Sequence, residues 1–89
     1  MYGMRLTFDD NAFDDLAWWI THDTKIAKRI VGLIQECTRT PFSGRGKPEP
    51  LKYELAGCWS RRIDDTHRLV YIVTDNEIRI LSCRFHYTK

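Results

Sequence analysis

All three prolines of the chain, Pro41, Pro48 and Pro50, fall within ten residues, and Gly44 and Gly46 stand between the first two. Proline has no backbone N–H to donate and glycine weakens helix and strand alike, so residues 40–50 read as a loop held in place by what it packs on. This loop divides the 89 residues into a half patterned for helix and a half patterned for strand. A chain of this length supports one hydrophobic core, so residues 1–89 are expected to form a single domain.

Ahead of the loop, Arg5-Leu6-Thr7-Phe8 alternates polar and apolar as a short strand does. Asp9 and Asp10 offer a helix N-cap and favourable charge at its start. Phe13, Leu16, Ala17 and Ile20 then recur at helical spacing and predict the buried face of a first helix. Asp23 or Thr24 can cap a second helix, with Ala27, Ile30, Val31 and Ile34 buried and Ile26, Leu33 and Cys37 widening the stripe. The short connection predicts antiparallel helices. Beyond the loop, residues 51–55, 59–63, 67–73 and 77–87 read as strands separated by turn residues. The expected fold is therefore α+β: an N-terminal strand, two antiparallel helices, then a curved antiparallel sheet.

No apolar run approaches the roughly 20 residues that span a bilayer, so no membrane role is read. The start Met1-Tyr2-Gly3-Met4 lacks a basic segment leading into an apolar one, and the expected location is the cytoplasm. Three cysteines without paired spacing suit free thiols in a reducing compartment. His22, His67 and His86 form no ligand motif, so neither metal nor cofactor is expected. Residues 1–38 hold four Lys/Arg against six Asp/Glu, whereas residues 39–89 hold ten against six. A basic second half suits a polyanion, although a solvated surface would look the same. Gly44-Arg45-Gly46-Lys47 lacks the spacing of a nucleotide-binding P-loop.

Candidate chemistry lies at the strand ends. Cleavage of RNA through its own 2′-hydroxyl needs a base, an acid for the leaving oxygen and cations for the charge at phosphorus. Glu49 stands between Lys47 and Lys52, Arg61 and Arg62 are adjacent, Arg68 opens a β-branched run, and His86 lies near the end. Whether Arg68 and His86 share a sheet face depends on register. A two-residue turn at Asp75-Asn76 puts them on opposite faces. A three-residue turn, Thr74-Asp75-Asn76, or an equivalent bulge puts Arg68, Arg84 and His86 on one face and pairs Arg68 with Ser82. The second arrangement is the expected one.

Three blocks then carry a family resemblance: Thr40-Pro41-Phe42-Ser43-Gly44-Arg45-Gly46-Lys47-Pro48-Glu49-Pro50-Leu51-Lys52, Trp59-Ser60-Arg61-Arg62-Ile63 with His67-Arg68-Leu69-Val70-Tyr71, and Cys83-Arg84-Phe85-His86-Tyr87. From Arg5 to Tyr87 the chain resembles the YoeB/Txe toxins of the RelE/ParE superfamily. The resemblance implies the RelE-like fold and a type II toxin–antitoxin toxin. Such a toxin enters the A site of the small ribosomal subunit, cleaves the mRNA there without a metal, and so inhibits translation. It implies Glu49 as general base, His86 as general acid and Arg68 as stabiliser of the phosphorane. Lys52, Arg62 and Tyr87 would hold phosphate or orient His86, and Lys47 and Arg61 are candidate RNA contacts on charge. Implied partners are the ribosome, mRNA, a YefM-type antitoxin wrapped across this face, and a second copy in a homodimer. The chain departs from the family pattern in its Thr88-Lys89 extension, in Phe85 where tyrosine is common, and in Phe8 and Phe13 where tryptophans are expected. The alternatives are an inactive RelE-fold module that binds the ribosome or represses with its antitoxin, and a ParE-like toxin acting on gyrase. Retention of Glu49, Arg68 and His86 argues for the nuclease, since binding alone does not require a carboxylate among cations.

Overall fold

Strand β1 (Arg5–Phe8) leads into helices α1 (Asp10–His22) and α2 (Thr24–Cys37), separated by Asp23 alone. The computed structural model describes residues 4–86. After the loop come β2 (Glu49–Pro50), a 3₁₀ turn over Tyr53–Leu55, β3 (Cys58–Arg62), β4 (Arg68–Val73) and β5 (Glu77–Ser82). The five strands form one sheet in the order β1-β5-β4-β3-β2. β1 runs parallel to β5 and the other pairs are antiparallel, so the sheet is mixed. The chain leaves β1 through two helices, and β1 comes to rest beside the last strand rather than the next one in sequence. Residues 51–55, expected as a strand, instead form the tight connection from β2 to β3, closed by the Leu51 N–H donating to the Cys58 carbonyl at 2.9 Å.

Asp23 caps α2, its Oδ1 accepting from the Ile26 N–H. Asp9 precedes α1 but forms no cap bond; its carboxylate takes Arg79 at 2.7 Å instead. The stripe on α2 lies where expected, with Ala27, Ile30, Leu33, Ile34 and Cys37 buried, except that Val31 sits at its exposed margin. The face of α1 is rotated from the expected one. Ala12 and Trp19 are buried with Leu16 packed beside them, while Phe13 is 61% and Ile20 55% exposed. Burial of the large Trp19 decides this orientation, because its indole N–H also reaches the Cys83 carbonyl at 2.9 Å. Phe13 turns to the edge of Phe8, with ring centroids 6.2 Å apart.

The helices cover one sheet face, where Ile63, Leu69, Tyr71, Ile78 and Ile80 meet them. Arg29 ties α2 to the end of β3 by donating to the Ile63 carbonyl at 2.6 Å and to the Arg62 carbonyl at 3.2 Å. A smaller cluster of Leu51, Cys58 and Val70 lies on the opposite, open face. Cys37, Cys58 and Cys83 are free thiols inside the molecule, and burial pushes that of Cys83 up to about 12, which leaves it inert. Among the described residues no helix is long and apolar enough to cross a membrane.

Candidate active site

Arg61 points into the helix-covered side and is wholly buried, at 0% exposure. Each of its five N–H donors has a partner. Nε donates to the Tyr71 hydroxyl at 3.2 Å, Nη1 to Glu36 at 3.3 Å and to the Arg45 carbonyl at 3.1 Å, and Nη2 to the Thr40 and Ser43 carbonyls at 2.5 and 2.8 Å. The Tyr71 hydroxyl donates onward to the Pro41 carbonyl at 2.7 Å. The loop is thus wrapped around one guanidinium, and this corrects the expectation of Arg61 as an RNA contact: its donors are spent inside the protein.

Glu36 closes the outer side of this knot. It accepts from the Arg45 side chain at 2.9 Å and from the Arg45 N–H at 2.6 Å. Gly44, at φ 112°, passes so close to the Glu36 carboxylate that a Cβ would collide with it. The Arg45 side chain, then the Arg45 N–H, then Arg61 hold the Glu36 carboxyl down at about 2. Because its folded value is depressed, its contribution to stability is complete above the ordinary value of 4.5 and lost as pH falls toward 2. Glu36→Gln should therefore lower the melting temperature at pH 7 but leave it close to wild type at pH 2. Equal losses at both pH values would contradict this ionic role.

The anchored loop delivers Glu49. The Gly46 carbonyl accepts the Arg62 N–H at 2.6 Å, with Gly46 at φ 84° pressed against the β3 backbone. Lys47 follows at φ 49°, a left-handed conformation that a non-glycine residue adopts only under tertiary constraint. Glu49 then pairs with Ser60, Ser60 with Val70, and Val70 with Ser82, a row across four strands. Paired residues share a face, so this row lies on the open side, away from the helices. In the next row Arg62 stands directly opposite Arg68. Glu49, Arg62 and Arg68 therefore occupy one open face, with Lys47 and Lys52 exposed on either side of Glu49 in sequence.

Two like charges directly opposed destabilise a sheet unless something offsets them. Arg68 is 8% exposed, and its Nη1 donates to the Asp64 and His67 carbonyls at 2.8 and 3.0 Å. This fixes the plane of the guanidinium while Nε and Nη2 take no partner among the described residues. A phosphate between Arg68 and Arg62 would meet an oriented fork and relieve the repulsion.

The register at the last strand is set otherwise than by the expected turn. The Thr74 N–H donates to the Glu77 carbonyl at 2.9 Å, so the turn holds only Asp75 and Asn76. Tyr71 then pairs with Ile80 but Val70 with Ser82, which leaves Leu81 as the extra residue of a bulge. The bulge makes a one-residue shift and so exchanges the faces of the strand, as a three-residue turn would have done. It shifts the chain in the opposite sense, so the register ends two residues from the expected one: Val70, not Arg68, opposes Ser82, and Arg68 donates its N–H to the Phe85 carbonyl at 3.1 Å. His86 is exposed and follows that contact by one residue. Tyr87 lies outside the described residues.

Sequence reasoning missed the groups that hold this terminal segment. Asp15 accepts the Cys83 N–H at 3.0 Å, Trp19 donates to the Cys83 carbonyl, and His67 Nδ1 accepts the Phe85 N–H at 2.6 Å. Desolvation raises the Asp15 carboxyl above its ordinary value. The spacing of Asp15 and Trp19 places both on one face of α1, the only hint the sequence carried. Arg84 has folded back over the Trp18 ring, 3.5 Å from its centre, and so leaves the open face.

Comparison with known proteins bears on this arrangement. Residues 8–87 match the family model described as a YoeB-like toxin of bacterial type II toxin–antitoxin systems. The Toxin YoeB of Streptomyces coelicolor is 54% identical over 84 residues, covering 94% of this chain and all of the relative. The YoeB dimer from Staphylococcus aureus superposes with a TM-score of 0.88 at 44% identity, covering 97% of this chain and all of that one. The heterotetrameric YoeB–YefM toxin–antitoxin complex from the same organism gives 0.86 at 44% identity with the same coverage.

Proposed function

This chain belongs to the YoeB-like toxins of bacterial type II toxin–antitoxin systems, and from that premise we propose that it is a ribosome-dependent endoribonuclease that cuts mRNA in the A site. The observation that carries the reading is the open sheet face on which Glu49 shares its side with the opposed pair Arg62 and Arg68. A carboxylate on the same sheet face as two opposed arginines suits a reaction that moves a proton next to an anion.

In this reading Glu49 takes the proton from the 2′-hydroxyl of the nucleotide before the cut. The 2′-oxygen attacks phosphorus, and the bond to the 5′-oxygen of the next nucleotide breaks. His86 gives that leaving oxygen its proton, and a 2′,3′-cyclic phosphate remains. Arg68 stabilises the charge on the equatorial oxygens as it builds, because Nη1 is already tied down and reorients little during reaction. Arg62, Lys47 and Lys52 hold the flanking phosphates, and Tyr87 supports His86. The protein acts in the cytoplasm, as a homodimer, until a YefM-type antitoxin covers the open face.

Dependence on the ribosome is inferred from how few groups this face brings to the reaction. A few groups on an open sheet position flexible RNA poorly, whereas a strand already held in the A site reacts with much of that entropic cost removed. Cleavage of a short mRNA bound to programmed ribosomes should be at least about 10²-fold faster than cleavage of the same RNA free in solution. Equal rates would overturn the ribosome dependence.

A further inference from the structure

The segment that carries His86 is not a simple continuation of β5. Phe85 adopts φ 66°, a left-handed conformation unfavourable for an aromatic residue. Both polar groups of its backbone are tied to the start of β4: the carbonyl accepts from the Arg68 N–H, and the N–H donates to His67 Nδ1. The His67 ring is fixed in turn, edge-on to Trp19 with centroids 4.8 Å apart and 5.9 Å from the Phe85 ring. The His67 N–H donates to Asp64 Oδ1 at 2.6 Å, and its carbonyl accepts from Arg68 Nη1 at 3.0 Å.

We propose that His67 is a positioning residue of the proposed nuclease: its ring holds the backbone that presents His86, while its carbonyl orients the Arg68 guanidinium. Because the Phe85 N–H can only donate, Nδ1 must carry the lone pair, and the neutral ring then bears its proton on Nε2. One residue thus sets the separation between the group that meets the phosphate and the segment that brings the acid. The inference rests on the reading of His86 and Arg68 given above.

Three variants test it by single-turnover cleavage on programmed ribosomes and by amide exchange at Phe85. In His67→Asn, Oδ1 can occupy the place of Nδ1 and accept the same bond. His67→Gln sets its polar end further out, and His67→Leu has no acceptor. His67→Leu and His67→Gln should cleave at least about tenfold more slowly with ribosome affinity unchanged, and Phe85 exchange should accelerate. His67→Asn should recover most of the rate and the protection. Wild-type rates in the Leu and Gln variants, or an Asn variant as slow as they are, would overturn the proposal. Should the wild type cut no RNA at all, the nuclease reading fails by itself. The Phe85 exchange still decides the clasp, and unchanged protection in the folded Gln variant would sink it.

Discussion

His86→Ala is expected to lower the rate of mRNA cleavage on ribosomes by about 10²–10⁴-fold and to abolish growth arrest on induction. The 5′-oxygen of a ribonucleotide is a poor leaving group unless it is protonated as the bond breaks. His86 follows the Arg68–Phe85 contact by one residue, and its imidazole can give a proton to that oxygen. Affinity for the ribosome should change little, since the exposed Lys47 and Lys52 and the open-face Arg62 are untouched. The loss belongs in the chemical step rather than in binding. Arrest of equal strength by wild type and variant would favour the inactive binding module or a gyrase poison.

The second large effect concerns the loop rather than the chemistry. Arg61→Met should destabilise the fold by about 3–5 kcal/mol, the range for removing one partner from a buried charged network. Three loop carbonyls, those of Thr40, Ser43 and Arg45, would face the interior without their donor, and Glu36 would lose a cation. For a domain of this size the melting temperature should fall by about 15–30 °C. Arg61→Lys should rescue little, because an ammonium cannot serve five partners spread around a planar fork. A thermal melt of each variant gives the answer, and a fall below about 5 °C would show that the loop is held by other contacts. Since Glu49 follows this loop, whatever folded population remains should also cleave more slowly.

The difference between Arg61 and Arg62 shows where sequence reading ends. Adjacent residues on a strand point to opposite faces, and that much was legible. Which of the two enters the core depended on the β3–β4 register and on a loop able to surround a guanidinium, neither of which a pattern of apolar residues records. The order of elements followed from the proline cluster and the two helical stripes. Direction did not: Arg5-Leu6-Thr7-Phe8 reads the same in a parallel or an antiparallel pair, and only the route through two helices sets it beside β5 in parallel. On α1 the regular spacing of Phe13 and Ile20 misled, because one Trp19 side chain with a hydrogen-bond partner outweighs two smaller contacts. At the last hairpin the need for a one-residue shift was legible, but it is made at Leu81, where an apolar residue in an apolar run gives no sign of a bulge. Glu49, Arg62 and Arg68 meet on one face as their spacing allowed. The clasp of Asp15, Trp19 and His67 joins residues 18 to 68 positions apart, a separation at which a single sequence carries no pairing signal.

The most direct test of the central claim is primer extension on cellular mRNA after induction of the wild-type chain, beside Glu49→Gln and His86→Ala. The account predicts new 5′ ends inside translated reading frames, in phase with codons, in the wild type and strongly reduced in both variants. Growth arrest by the wild type with mRNA left intact would contradict it.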